Sequence, residues 1–541
     1  VTRVTVTPGK AAENVLPFEM SASMRIRSAS VDGVPATVVQ RDSVRSNLIR
    51  NTGSELVLVV PAAGLAAGRS YEVELRSDGK VIYDAGNGVY YVGARASWYP
   101  SRGLQFAAYD LTFRYPKSLE LVTPGEIVEE SADGDWQITR RRTPPIRMAG
   151  FNLGEYEHTR VSRGAQAVEV YANRTLERAL QPRASMPAII LPPVPPWSRT
   201  RRPEVIPMPA PVSIPADPRA RLQHLAAEIA SALEYMTARF GPPAVPLLNV
   251  SPVPGRFGQG FPGLIYLSTL SYLGPQSKAV ASLDERQITF FTEILHAHET
   301  AHQWWGNVVT SAGYHDDWMM EALANYSALL YLERRKGARS LEATLQQYRA
   351  QLLEKAEGGQ TVESAGPIVL GTRLESSQSP MAWRHITYGK GSWILHMLRR
   401  RLGDERFLSM LAALRKRFEF RAITTEQFRL LASEFLPPKS PDAKLESFFE
   451  QWVYGNGIPE LQFKHALKGK APQIRLHGSL AQRGVDSDYT AEVPVEVQFR
   501  RGKPQIFWLP ATSEPVEFSI PLREAPLRVL LNPGLAVLAR N

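Results

Sequence analysis

The chain contains no cysteine. That excludes a disulfide framework, a thiol nucleophile and any thiolate metal site. It also lacks a long apolar run: no stretch approaches the ~18 residues that a membrane-spanning helix needs. There is no internal repeat, and one proline-rich tract is the only low-complexity segment. Acidic residues are the minority, 53 against 63 basic ones, for a net charge of +10. The basic runs (Arg140–Arg142, Arg199–Arg202, Arg399–Arg401) are short, scattered and not interleaved with aromatics. They read as a solvated surface, and no nucleic-acid partner is expected. A general preference for anionic surfaces stays open.

The 541 residues, 44% hydrophobic and 21% charged, are ordinary for globular protein and too many for one core. Roughly two to four domains follow. The chain begins VTRVTVTPGK, without a methionine and already strand-like. This implies that an N-terminal signal or anchor precedes it, and a bacterial envelope or periplasm is expected over cytoplasm. Residues 1–185 alternate in short runs such as ELVLVV and YEVEL between turn residues, which predicts an antiparallel β domain. Residues 186–217 are too rich in proline to supply ladder or helix donors and read as a linker. From 218 to 455 the period is helical. Helices are expected at 288–305, 318–336, 341–356, 390–402, 404–418, 424–435 and 442–453, with an earlier one carrying Leu222, Leu225, Ile229, Leu233, Met236 and Phe240 on one stripe. Residues 456–541 return to β runs and predict a small C-terminal β-sandwich. The fold class is multidomain α+β.

Three of the ten histidines crowd into 296–302, two of them in the stretch HETAHQWWGN (298–307). On a helix, residues four apart differ by only about 40° in direction. His298 and His302 then share one face, as two imidazoles on one zinc ion would require. Glu299 points about 100° away, beside such a metal, where it can take a proton from water. A helix opening at Asp316-Asp317 and doubling back carries Glu321, eighteen intervening residues after His302, to the same place as a third ligand. His296 falls on the opposite side and reads as packing, as do Trp304 and Trp305.

HETAHQWWGN followed by WMMEALANYSALLYLE resembles the zinc site of the aminopeptidase N family, gluzincin metallopeptidases that include leukotriene hydrolase. The resemblance implies one Zn2+ per chain on His298, His302 and Glu321, with Glu299 as general base. TYGKGSWILHMLRRRLGDERF (387–407) is similar to the family's tyrosine block and implies Tyr388 as the catalytic tyrosine at the start of a helix. MAGFNLGEYE (148–157) and FFEQWVYGNGIPEL (448–461) resemble other pieces of the same proteins, so the likeness covers nearly the whole chain. It implies a thermolysin-like zinc catalytic domain at 218–455.

One departure matters. Family members that act as aminopeptidases bind the substrate amine with the glutamate of a Gly-x-Met-Glu-Asn loop. Here GQGFPGL (258–264) stands there, with Gly260 in the place of that glutamate. The acidic or amide partner expected before GARASWYPS is absent too, YYVGA standing in its place. Selection of a free N-terminus then loses its main electrostatic term. Gly258, Gln259 and Gly260 are expected to line the substrate cleft, the glycines permitting close approach of a peptide backbone, although a plain turn accounts for them equally. The implied function is zinc-dependent hydrolysis of peptide or protein substrates. Aminopeptidase action, endopeptidase action and peptide binding without cleavage stay open as readings.

Overall fold

The computed structural model describes residues 1–40, 54–93, 97–103, 105–181, 216–355, 359–470 and 473–540. Apart from its last two residues, the proline-rich 186–217 tract lies outside these, as do residues 94–96 of GARASWYPS. The N-terminal part is built on a six-stranded antiparallel sheet in the order Thr2–Val6, Tyr71–Gly79, Met24–Val31, Val34–Val39, Ser54–Val60, Leu16–Ser21. Alternate residues turn inward: Leu16, Phe18, Val57, Val59, Val73 and Leu75 are buried together, as a half-buried sheet dictates.

A second sheet positions the site. Its order is Tyr156–Arg163, Gln166–Asn173, Leu247–Val253, Leu264–Ser268, Gln259–Phe261. Gln166–Asn173 pairs parallel with Leu247–Val253, which pairs parallel with Leu264–Ser268, and Gln259–Phe261 closes the edge antiparallel. Strands read from sequence as part of the 1–185 β domain are thus hydrogen-bonded into the sheet of the following domain. The long helix Leu222–Phe240 lies between the parallel strands in sequence, as a parallel pair requires. It buries the expected stripe and stops at Gly241, whose φ of +87° only glycine adopts freely.

Two helices after this sheet depart from regular geometry. Residues 285–301 run as one helix with a π-helical segment, Phe290–Ile294, just before the histidines. Residues 382–402 run as another, with π segment His385–Lys390. The second differs from expectation: Tyr388 sits inside a continuous helix, not at its start. The π insertion hides the apolar period that would have shown it.

The chain ends in two three-stranded sheets. One has the order Glu460–Lys468, Ile474–Arg483, Val516–Leu522; the other Gln505–Ala511, Ala491–Gln498, Arg528–Leu531. Leu476, Val495, Val497 and Leu522 pack between them as a sandwich core. Among the described residues no helix is long and apolar enough to cross a membrane.

Candidate metal centre and active site

The histidine helix Leu295–Ala301 is buried along its whole length. The helix Trp318–Lys336 packs across it and presents Glu321 from its first turn. Three atoms converge. His298 Nε2 and His302 Nε2 are 3.1 Å apart, and Glu321 Oε2 lies 3.4 Å from the first and 3.6 Å from the second. Donors bound at zinc distances in a tetrahedron stand about 3.3 Å apart, so this triangle has the edges of one zinc face. Glu321 Oε2 is buried without a hydrogen-bond partner, the state of a ligand atom reserved for a cation. His302 Nδ1 donates to the Trp305 carbonyl at 2.8 Å, which leaves Nε2 as the lone-pair donor. The Glu299 carboxylate sits beside the imidazoles, within 4.8 Å.

The electrostatics agree with a cation site. Burial alone would raise the Glu321 carboxyl, but the two imidazoles outweigh it and hold the group ionised, well below its usual range. Burial would likewise lower His302, yet Glu321 and Glu299 push it up to about 9. A divalent ion satisfies the same two carboxylates without protonating a ligand. The Tyr388 ring is 5.4 Å from that of His298. Burial, followed by the Glu321 and Glu299 charges, raises its phenol well above the ordinary value, so it stays a donor.

His296 is fully buried on the far side of the helix, 4.0 Å from Glu228, and burial drives it down to about 3, hence neutral. Trp304 and Trp305 are wholly buried; their indole N–H groups donate to the Gly241 carbonyl at 2.9 Å and to Ser327 Oγ at 3.0 Å. The expected N-cap at Asp316-Asp317 does not form. Asp317 instead accepts from Ser311, and Asp316 accepts from the Thr425 amide and hydroxyl at 2.7 and 2.8 Å. Asp316 ties the connection after the histidine helix to the helix Thr425–Ser433, and Asp317 ties that connection to itself.

Gly258 and Gly260 face the histidine helix. A Cβ on Gly260 would stand 2.6 Å from the Glu299 carbonyl and 2.7 Å from His302 Cβ; one on Gly258 would overlap the Glu299 carboxylate. Their close approach is to this helix, and residue 260 has no room for a side chain. Residues from HETAHQWWGN that carried no role in the sequence clamp the strand there. Gln303 donates to the Phe261 carbonyl at 2.8 Å and accepts from the Gly263 amide at 2.9 Å, and Asn307 donates to the Gly260 carbonyl at 3.0 Å. On the opposite wall the Asn325 amide holds the tyrosine segment, donating to Ser392 Oγ at 2.9 Å, Tyr348 Oη at 3.1 Å and the Tyr388 carbonyl at 3.4 Å. Buried amides with several partners are a structural signal, invisible in motif spacing.

Residues 264–452 match the Peptidase family M1 domain. The chain is 29% identical over 169 residues to Aminopeptidase N of Lactococcus lactis subsp. lactis, covering 30% of this chain and 18% of that one. It is 28% identical over 173 residues to Leukotriene A-4 hydrolase of Xenopus laevis, covering 31% and 27%. The match therefore spans less than a third of the length of these relatives. A crystal structure of an M1 zinc metallopeptidase from Deinococcus radiodurans superposes with a TM-score of 0.56 at 18% identity, over 84% of this chain and 89% of that one. At that identity the likeness is one of fold.

Proposed function

We propose that this chain, whose residues 264–452 match the Peptidase family M1 domain, is a zinc-dependent peptidase in which His298, His302 and Glu321 hold the metal and Glu299 and Tyr388 carry the proton chemistry. The observation that carries the reading is the 3.1, 3.4 and 3.6 Å triangle of donor atoms with a second carboxylate beside it. A zinc ion there supplies Lewis acidity, polarising a carbonyl and acidifying water.

The Glu299 carboxylate accepts the proton of the attacking water and delivers it to the leaving amine. The Tyr388 hydroxyl, kept protonated, donates to the oxyanion as charge develops on the carbonyl oxygen. The metal-bearing helix and the tyrosine segment are braced by Asn325, so these groups keep their geometry through turnover. The strand Gln259–Phe261 lies on the Glu299 side of the site as the last strand of its sheet, the place where an extended peptide adds as a further strand.

Position 260 supports a substrate anchored otherwise than by an amine-binding glutamate at this strand, and internal cleavage is the reading we favour. A pool of peptides, each free and N-acetylated, tests it by mass spectrometry, with Glu299→Gln as the blank. Internal cuts in both forms are the expected result. Loss of single residues from free peptides alone would establish aminopeptidase action. No cleavage by zinc-loaded protein would overturn the peptidase reading.

A further inference from the structure

Beside the metal ligands the protein holds a cavity of 370 Å³, walled by Phe290 and Ile294 of the π segment, by Tyr348, and by Tyr388 itself. That volume suits one side chain or chain end more than an extended ligand. Its charged groups are unequal in their engagement. Arg286 pairs with Glu354 at 3.1 Å, and Asp284 is spent as a helix cap, accepting from the Gln287 amide at 2.8 Å. His385 also lines it, and burial lowers that imidazole, which keeps it neutral. Arg256 and Arg384 remain: both line the cavity, both are exposed, and among the described residues neither has a carboxylate partner. Arg384 lies 5.4 Å over the Phe290 ring, which fixes its guanidinium without neutralising it. Its charge is close enough to act on both Tyr388 and His298.

We propose that this cavity is a carboxylate-recognising subsite, in which Arg384 and Arg256 receive an acidic side chain or the free C-terminus of a peptide whose scissile bond lies at the metal. Two unpaired guanidinium groups on an aromatic-walled cavity are suited to bidentate carboxylate pairing. The cleft thereby replaces the lost anchor for a positive amine with an anchor for a negative group. The assignment rests on the peptidase reading for its orientation, though binding can be measured without turnover.

The test uses three fluorescent N-acetylated peptides of one sequence: all-neutral with an amidated C-terminus, the same with one Gln→Glu replacement, and the same with a free C-terminal carboxylate. Affinities are measured on zinc-loaded Glu299→Gln protein, and cleavage on wild type. At least tenfold tighter binding of one carboxylate peptide over the neutral one is expected, and which of the two is preferred identifies the source of the carboxylate. Arg384→Gln and Arg256→Gln should reduce that ratio towards one, and Arg384→Lys should restore part of it. Equal affinities, a ratio that survives both Gln substitutions, or no binding by any peptide would overturn the subsite. A retained ratio without cleavage in wild type would instead overturn the peptidase reading and leave the carboxylate site standing.

Discussion

Asn325 follows Glu321 by one turn of the same helix, and its side-chain amide reaches the Tyr388 carbonyl at 3.4 Å. One helix thus carries the proposed third metal ligand and braces the residue proposed to donate to the oxyanion. Asn325→Ala removes the donor to Ser392, Tyr348 and Tyr388 together. The tyrosine segment is π-helical, a geometry that needs side-chain support. Turnover should fall about tenfold to a hundredfold, since small misplacement of a reacting group costs on that order. Zinc content measured by atomic emission should stay stoichiometric and KM should move little. A fall confined to KM would place Asn325 in substrate binding instead.

Glu299 and Tyr388 should be separable from metal binding. Glu299→Gln should lower kcat by about two to four orders of magnitude, the usual worth of a positioned general base. Tyr388→Phe should lower it by about two orders of magnitude, as loss of one oxyanion donor does. Both proteins should titrate with one zinc per chain. Unchanged turnover in either variant would remove that residue from the proposed chemistry.

The donor set was legible in sequence because helical periodicity alone brings His298 and His302 to one face, and a short loop returns Glu321 to them. Other features were not. Tyr388 came only from resemblance to a family, since the π segment around it breaks the 3.6-residue period. The pairing of Gln166–Asn173 with Leu247–Val253 joins strands far apart in the chain, and no local pattern encodes such a partner. Asp316 and Asp317 have the composition of a helix cap, yet tertiary donors at Thr425 and Ser311 compete for their oxygens and win. The glycines at 258 and 260 were visible, but what they approach is set by how the edge strand packs on the histidine helix.

That packing makes a prediction about engineering. Restoring the amine-binding residue by Gly260→Glu should not create aminopeptidase activity. Its Cβ meets main chain at 2.6 Å, which cannot yield as a flexible side chain can. The edge strand must move away from Gln303 and Asn307, and overpacking of this kind costs about 1–3 kcal/mol. A lowered melting temperature together with reduced cleavage of acetylated peptides is expected. Single-residue release from free peptides at unchanged stability would show that the strand adapts and that the anchor can be rebuilt.

The join between the catalytic helices and the C-terminal sandwich should be sensitive to acid through His396. This imidazole is 3% exposed on the helix Gly391–Leu402. Its Nε2 is 2.9 Å from the Gly534 carbonyl, which can only accept, so Nε2 carries the proton; Nδ1 then accepts from the Tyr326 hydroxyl at 2.9 Å. A second proton requires the Tyr326 hydroxyl to turn and accept, and it adds a buried charge. Burial pushes the group down from 6.5 to about 4; the hydrogen bond to the Gly534 carbonyl opposes it, as Asp404 does more weakly, and Arg399 and Arg400 add to the lowering. Above 6.5 neither folded nor unfolded chain protonates it, and the contribution to stability is intact. Between 6.5 and 4 the unfolded chain binds a proton that the folded one refuses, so stability falls as pH falls, by about 3 kcal/mol once both forms are protonated. His396→Gln keeps an amide donor and an acceptor and cannot titrate. Denaturation midpoints of wild type and variant, measured at pH 7 and pH 4.5, should therefore converge or cross in acid, because carboxylates common to both proteins cancel in the difference. Midpoints that fall in parallel would mean that the interface is insensitive to this histidine and that acid acts on the fold elsewhere.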